Sequence, residues 1–228
     1  MAQFLSMAVL GFVLGMRHAT DPDHVVAVTT IVSRERRVSR AGGIGMLWGV
    51  GHTATILVVG GAILLFNVVI PPQIGLSMEL SVALMLVVLG VLSLTRMTRS
   101  AAETSAENSA GDGSFDFHHH SLRPLAIGVV HGLAGSAAVA LLVLATIHDP
   151  AWGVVYLAVF GVGTIAGMVL ITAAISVPFA YTCRRLAWFN RSLGVIAALS
   201  SLGFGFFLVY EIAFVDGLLT GHPLWTPR

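Results

Sequence analysis

Six apolar stretches, at about 4–32, 43–66, 77–96, 124–147, 152–179 and 191–213, are each long enough to cross a bilayer as a helix, and together they take up most of the 228 residues. A hydrocarbon core about 30 Å thick needs roughly 20 apolar residues per helix. Only 10% of the residues are charged, against 56% hydrophobic and a mean hydropathy of +0.90, whereas a soluble domain carries about 25% charged residues. With so few polar groups the chain cannot cover its surface in water, so lipid must cover part of it. The expected fold class is therefore an all-α integral membrane protein with six transmembrane helices. The net charge of +1 leaves no basic face for nucleic acid. The single cysteine, Cys183, excludes an internal disulfide and a multi-cysteine metal site. No arginine precedes the first apolar run, which reads as a retained span instead of a cleaved signal.

The connecting segments are punctuated as loops should be. RERRVSRAGG (34–43) is basic, NVVIPPQ (67–73) carries a proline pair and HDPAW (148–152) suits a tight turn. Residues 98–122 are small, polar and of low complexity, the composition of a flexible linker. All basic residues are arginines. Those that follow spans one, three and five (Arg34, Arg36, Arg37, Arg40; Arg96, Arg99, Arg123; Arg184, Arg185, Arg191) fall on one side, with Arg228 alone on the other. The positive-inside rule places the three arginine-bearing loops in the cytoplasm and both termini outside the cytoplasmic membrane.

Motifs recur at a nearly constant offset. HATDPDHVVAV (18–28) aligns with HGLAGSAAVAL (131–141) at a separation of 113 residues, GVGHTA (49–54) with GVGTIA (161–166) at 112, and LG (89–90) with LG (202–203) at 113. Each half then holds three spans, an odd number, so the second half must be inverted relative to the first. The expected organisation is a first three-helix repeat over 1–97, a cytoplasmic linker over 98–122 and a second, inverted repeat over 123–228. Inverted repeats are a common architecture of secondary transporters, with the substrate site near the midplane on interrupted helices.

The first span carries RHATDPDH (17–24) at its centre. A charged side chain at the bilayer centre costs ~2.5–3.5 kcal/mol on insertion scales and needs a partner. Two carboxylates, Asp21 and Asp23, and two imidazoles, His18 and His24, are oxygen and nitrogen donors suited to a first-row divalent metal. His52, in GVGHTAT (49–55), adds an imidazole at mid-depth in the next span. Three helical residues advance by about 300°, so an unbroken helix would spread His18, Asp21 and His24 around its surface. Pro22 cannot donate to the carbonyl of His18 and biases Asp21 away from helical angles. It should break the helix there, gather the side chains and free a carbonyl. The expected metal ligands are His18, Asp21, Asp23, His24 and His52. Candidates for a secondary position are His131 and the linker histidines His118, His119 and His120.

These residues resemble the signature of the nickel/cobalt transporters, the high-affinity nickel permeases. The family consensus R-H-A-x-D-x-D-H stands here as Arg17-His18-Ala19-Thr20-Asp21-Pro22-Asp23-His24, and its Gly-His-hydroxyl motif looks like Gly51-His52-Thr53. The chain departs from the family in having six spans instead of eight and no carboxylate in GVGTIAGM (161–168), and it looks like a short branch of the urease-associated type. The resemblance implies a permease, not an enzyme, that moves Ni²⁺ or Co²⁺ as transported substrate, with no permanently bound cofactor. It implies the bilayer, the metal ion and nickel-enzyme maturation proteins as partners. Residue chemistry alone stops at a divalent transition metal.

The Walker signature G-x-x-x-x-G-K-[ST] is absent, so the chain does not hydrolyse ATP by that route. Uptake is the leading expectation, with efflux as the near variant. An intramembrane metalloenzyme is disfavoured by the six-residue separation of His18 and His24 and the lack of H-E-x-x-H. An accessory protein that delivers metal to a soluble partner through the His-bearing linker is the remaining alternative.

Overall fold

The computed structural model describes residues 2–33, 35, 37–66, 70–104, 117–133, 149–185 and 187–225, with the side chains of 2–4, 99–104, 117–121, 182–185, 187 and 189 outside that description. The described residues form helices joined by turns and short non-helical segments, without a strand. In chain order they form α1 (Ala2–His18), α2 (Pro22–Val32), α3 (Val38–Phe66), α4 (Pro72–Thr104), α5 (Phe117–Gly132), α6 (Pro150–Arg185) and α7 (Ala187–Tyr210), which ends in one π-helical turn (Glu211–Val215). Among the described residues, four helices are long and apolar enough to cross a membrane, over Val38–Phe66, Pro72–Thr98, Pro150–Tyr181 and Asn190–Val215. Their outward faces carry Val58, Phe66, Leu92, Val162, Leu170 and Phe206 exposed, a surface suited to lipid and unsuited to water.

The expected first span is two short helices. α1 stops at His18 and α2 starts at Pro22, the first helical position, where a missing N–H costs nothing. Asp21 is extended, with φ −62° and ψ 146°. The carbonyl of His18 is not freed by the break as expected, because the Asp21 N–H donates to it at 3.1 Å, just as Thr20 N–H donates to Arg17 at 2.8 Å. Tightened i→i+3 bonds of this kind satisfy carbonyls that a terminating helix would otherwise strand. The expected fourth span corresponds to α5, and residues 134–148 of it lie outside the described set. Helix also covers both ends of the expected linker, since α4 runs to Thr104 and α5 begins at Phe117.

α1 packs on α6, α5 on α3, α4 on α7, and α3 on α6. Glycine lets the first two pairs meet backbone to backbone. A Cβ on Gly15 would collide with the Phe160 carbonyl and crowd the Thr164 N–H, and one on Gly128 would collide with the Trp48 carbonyl and crowd the His52 N–H. In return, Gly163 faces the Phe12 carbonyl and Gly51 the Leu125 carbonyl. The offset of 112–113 residues that relates the sequence motifs also relates these contacts, glycine for glycine and carbonyl for carbonyl. Hydroxyl groups fasten the remaining seams. Thr53 donates to the Gly161 carbonyl at 3.2 Å, Thr55 to Val129 at 3.1 Å, Thr30 to Ala197 at 3.1 Å and Ser201 to Leu86 at 2.8 Å. Each such bond contributes on the order of 0.6 kcal/mol in a membrane interior.

The collision partners at Gly15 and Gly128 are main-chain atoms that no rotamer change can move. Gly15→Ala and Gly128→Ala are therefore expected to destabilise by about 1–3 kcal/mol. Gly43→Ala and Gly203→Ala, which meet nothing within 4 Å, should instead raise the melting temperature through helix propensity worth up to ~1 kcal/mol. Thermal melts of the four variants in detergent check the contrast.

Candidate metal centre

The helix break and the glycine seams converge on one point. α1 delivers His18 from its last turn, α2 delivers Asp23 and His24 from its first, and α3 and α5 deliver His52 and His131 from the backbones held together at Gly128. His24, His52 and His131 are fully buried and His18 is 6% exposed. Four imidazoles share one compact volume. The ring centroids of His18 and His24 are 4.7 Å apart, those of His24 and His131 4.2 Å, and those of His18 and His52 5.1 Å.

The carboxylates sort the nitrogens. His18 Nδ1 lies 2.8 Å from Asp21 Oδ2, and His24 Nδ1 lies 2.9 Å from Asp23 Oδ1. An ionised carboxylate only accepts, so each Nδ1 carries the proton and each Nε2 presents a lone pair. His18 Nε2 meets His52 Nε2 at 2.9 Å, a bond in which His52 must then donate. The other Asp23 oxygen lies 2.8 Å from His131 Nε2. His24 Nε2, His52 Nδ1 and His131 Nδ1 are buried with no hydrogen-bond partner. Orphaned polar atoms in a buried site cost about 1–3 kcal/mol each and call for an explanation. Three in one cluster of imidazoles fit an ion that would take up their lone pairs.

Two groups of donors satisfy the spacing of a metal site among the described residues. His18, His24 and His52 form one, and Asp23, His24 and His131 the other, each with ligand atoms within 4.8 Å of one another. Tetrahedral coordination at about 2.0–2.1 Å per imidazole nitrogen puts donors roughly 3.4 Å apart, between the 2.8–2.9 Å of the closest pairs and the 4.8 Å that bounds each group. Asp21, expected among the ligands, belongs to neither group. With its side chain 38% exposed it stands behind His18, the place of a carboxylate that fixes the tautomer and orientation of a ligating histidine. His118, His119 and His120 open α5, but their side chains lie outside the described residues.

The sequence reading passed over the aromatic walls. Trp48 stacks on His24 at 5.9 Å with planes 13° apart and meets His131 edge-on at 5.5 Å, while Phe160 tilts against His18 at 5.6 Å. Trp48 and His52 are four apart on α3 and so share a face, a signal that could have marked the tryptophan.

Among the described residues, fold and cluster together define a helical protein with helices long and apolar enough to cross a membrane and a buried His/Asp cluster of metal-ligand type. The chain belongs to the family of the urease accessory protein UreH. It is 34% identical to UreH of Bacillus sp. (strain TB-90) over 226 residues, covering 94% of this chain and 95% of that protein. It is also 32% identical over 123 residues, 47% of the chain, to the hydrogenase nickel incorporation protein HupN of Bradyrhizobium diazoefficiens. A third relative, the chloroplast protein FOR GROWTH AND FERTILITY 2 of Arabidopsis thaliana, is 26% identical over 172 residues, 73% of the chain. The chain spans 32% of HupN and 46% of the chloroplast protein. No family model and no solved structure matches.

Orienting carboxylates tune metal affinity by about 10–100-fold. Asp21→Asn, which keeps the shape but not the charge behind His18, is expected to weaken Ni²⁺ binding by that factor in calorimetric titration. His18→Ala, which removes the donor itself, is expected to weaken it further.

Proposed function

We propose that this protein is a secondary permease that carries Ni²⁺ or Co²⁺ into the cell across the cytoplasmic membrane. The observation that carries the reading is the pair of buried imidazoles, His18 and His24, each with a carboxylate on Nδ1, with His18 Nε2 against His52 and His24 Nε2 buried without a partner, the three rings grouped at metal-ligand spacing. Neutral imidazole nitrogens backed by carboxylates are strong, oriented donors for a first-row dication. Thiolates, which would favour softer ions, are missing from the cluster. The match of residues 17–24 to the nickel/cobalt transporter signature and the nickel in the printed name of HupN support the choice of ion.

The transport reading rests on where the cluster lies. Non-helical backbone at membrane depth is tolerated where it is buried in protein or lines a cavity, and the break at 19–21 opens among helices long enough to span. The reciprocal glycine contacts are in keeping with two halves related by a repeat, read here as inverted halves of three spans each, the architecture in which transporters place a substrate site between repeats; the arginine distribution is what supports both termini outside. In this scheme His18, His24 and His52 bind the ion, Asp21 orients His18, Asp23 orients His24 and balances charge, and Trp48 and Phe160 exclude water and lock the rings. No group on this chain is assigned to a chemical reaction of the ion.

A second reading, delivery of nickel to a soluble maturation partner, is favoured by the words "accessory" and "incorporation" in the relatives' names. Uptake of radioactive nickel or cobalt into proteoliposomes separates the two. The permease should load vesicles faster than empty controls and should continue to do so when 105–116 is replaced by a Gly/Ser linker. His24→Ala and His52→Ala should bring uptake down to the control level. Wild-type uptake no faster than in empty vesicles would sink the permease.

A further inference from the structure

The binding scheme above leaves out His131. It is fully buried, it comes from α5, and its Nε2 is bonded to Asp23 while its Nδ1 has no partner. A histidine kept for packing alone would normally have both nitrogens satisfied. It also closes the second donor group, Asp23, His24 and His131. The two groups share one residue. His24 turns its protonated Nδ1 to Asp23 and keeps Nε2 unpartnered, so the ring can serve the second group through Nδ1 once its proton has passed to Nε2.

Building on the permease reading, we infer that the centre is two overlapping three-donor positions, His18/His24/His52 and Asp23/His24/His131, and that the ion is handed from one to the other across His24. In the transfer the bonds to His18 and His52 break, bonds to Asp23 and His131 form, and His24 exchanges Nε2 for Nδ1. Each imidazole stays neutral, and His24 switches tautomer in the transfer: its proton leaves Nδ1, where Asp23 accepts it in the first position, and ends on Nε2 as the ion passes the other way, so the hand-over takes up no net proton. The positions are too close for two dications at once, because both draw on the same imidazole and the two charges repel across a buried space. Multi-site binding that is favourable enough to admit an ion and weak enough to release it is what conduction requires. The first position adjoins the more exposed carboxylate, Asp21, at 38%, and the second uses Asp23, at 15%.

His131→Ala and His52→Ala each take a donor from one position only. Full-length protein in detergent is titrated with NiCl₂ and examined by nickel X-ray absorption, and the same variants are assayed for nickel uptake in proteoliposomes. The hand-over predicts that His131→Ala still binds a single ion per chain within about tenfold of the wild-type affinity, with a nitrogen-dominated shell, while its uptake falls by about tenfold or more. His52→Ala should also bind one ion, now with a carboxylate in the shell, and should also transport poorly. His131→Gln, whose amide still donates to Asp23, serves if the alanine variant does not fold, and the same loss of uptake is expected. Uptake within about twofold of wild type in His131→Ala or His131→Gln, with the wild type active, overturns the second position and leaves the permease standing. Complete loss of binding in the folded His131 variant also overturns it, since that outcome requires one undivided site. Failure of the wild type to bind or transport would overturn the permease reading and the hand-over with it.

Discussion

Pro22 has no N–H, and the centre of the molecule is arranged around that missing donor. An uninterrupted helix through 17–24 would fan its polar side chains around a cylinder and point some of them at lipid. With the helix stopped at His18 and restarted at Pro22, the connecting carbonyls find donors in Thr20 and Asp21. His18, Asp23 and His24 all fall on the inner side of the bundle, against His52 and His131. The break therefore concentrates the polar groups without exposing main chain.

Close packing completes what the break begins. Imidazoles from α1, α3 and α5 can share a few ångströms only if the helix axes lie unusually close, and glycines at 15, 51, 128 and 163 remove the side chains that would hold them apart. The same contacts set the register, because Gly128 fits against Trp48 and His52 and so fixes where His131, three residues on, meets Asp23. Site and seam are one structure, and a change in helix approach changes the donor distances directly.

Much of this was legible in the chain itself. Charge inside an apolar run is a local signal, so the motif at 17–24, the break at Pro22 and the membership of His18, Asp23, His24 and His52 in one cluster could be read from neighbouring letters. His131 was harder to weigh because its sequence neighbours are apolar and its partner, Asp23, lies 108 residues away. Asp21 was placed among the ligands on residue type, whereas its geometry three residues from His18 makes it an orienting partner. The repeat was visible only as an offset in spacing. The glycine-to-carbonyl contacts that recur at the same offset need coordinates.

The pairing of carboxylates with neutral imidazoles has an electrical consequence. Two ionised aspartates give the cluster two negative charges, and a bound dication brings it to zero. A loaded centre that is electroneutral does not feel the membrane potential when it rearranges, whereas each uncompensated charge moved across 100 mV is worth about 2.3 kcal/mol. The voltage then acts on the unloaded form.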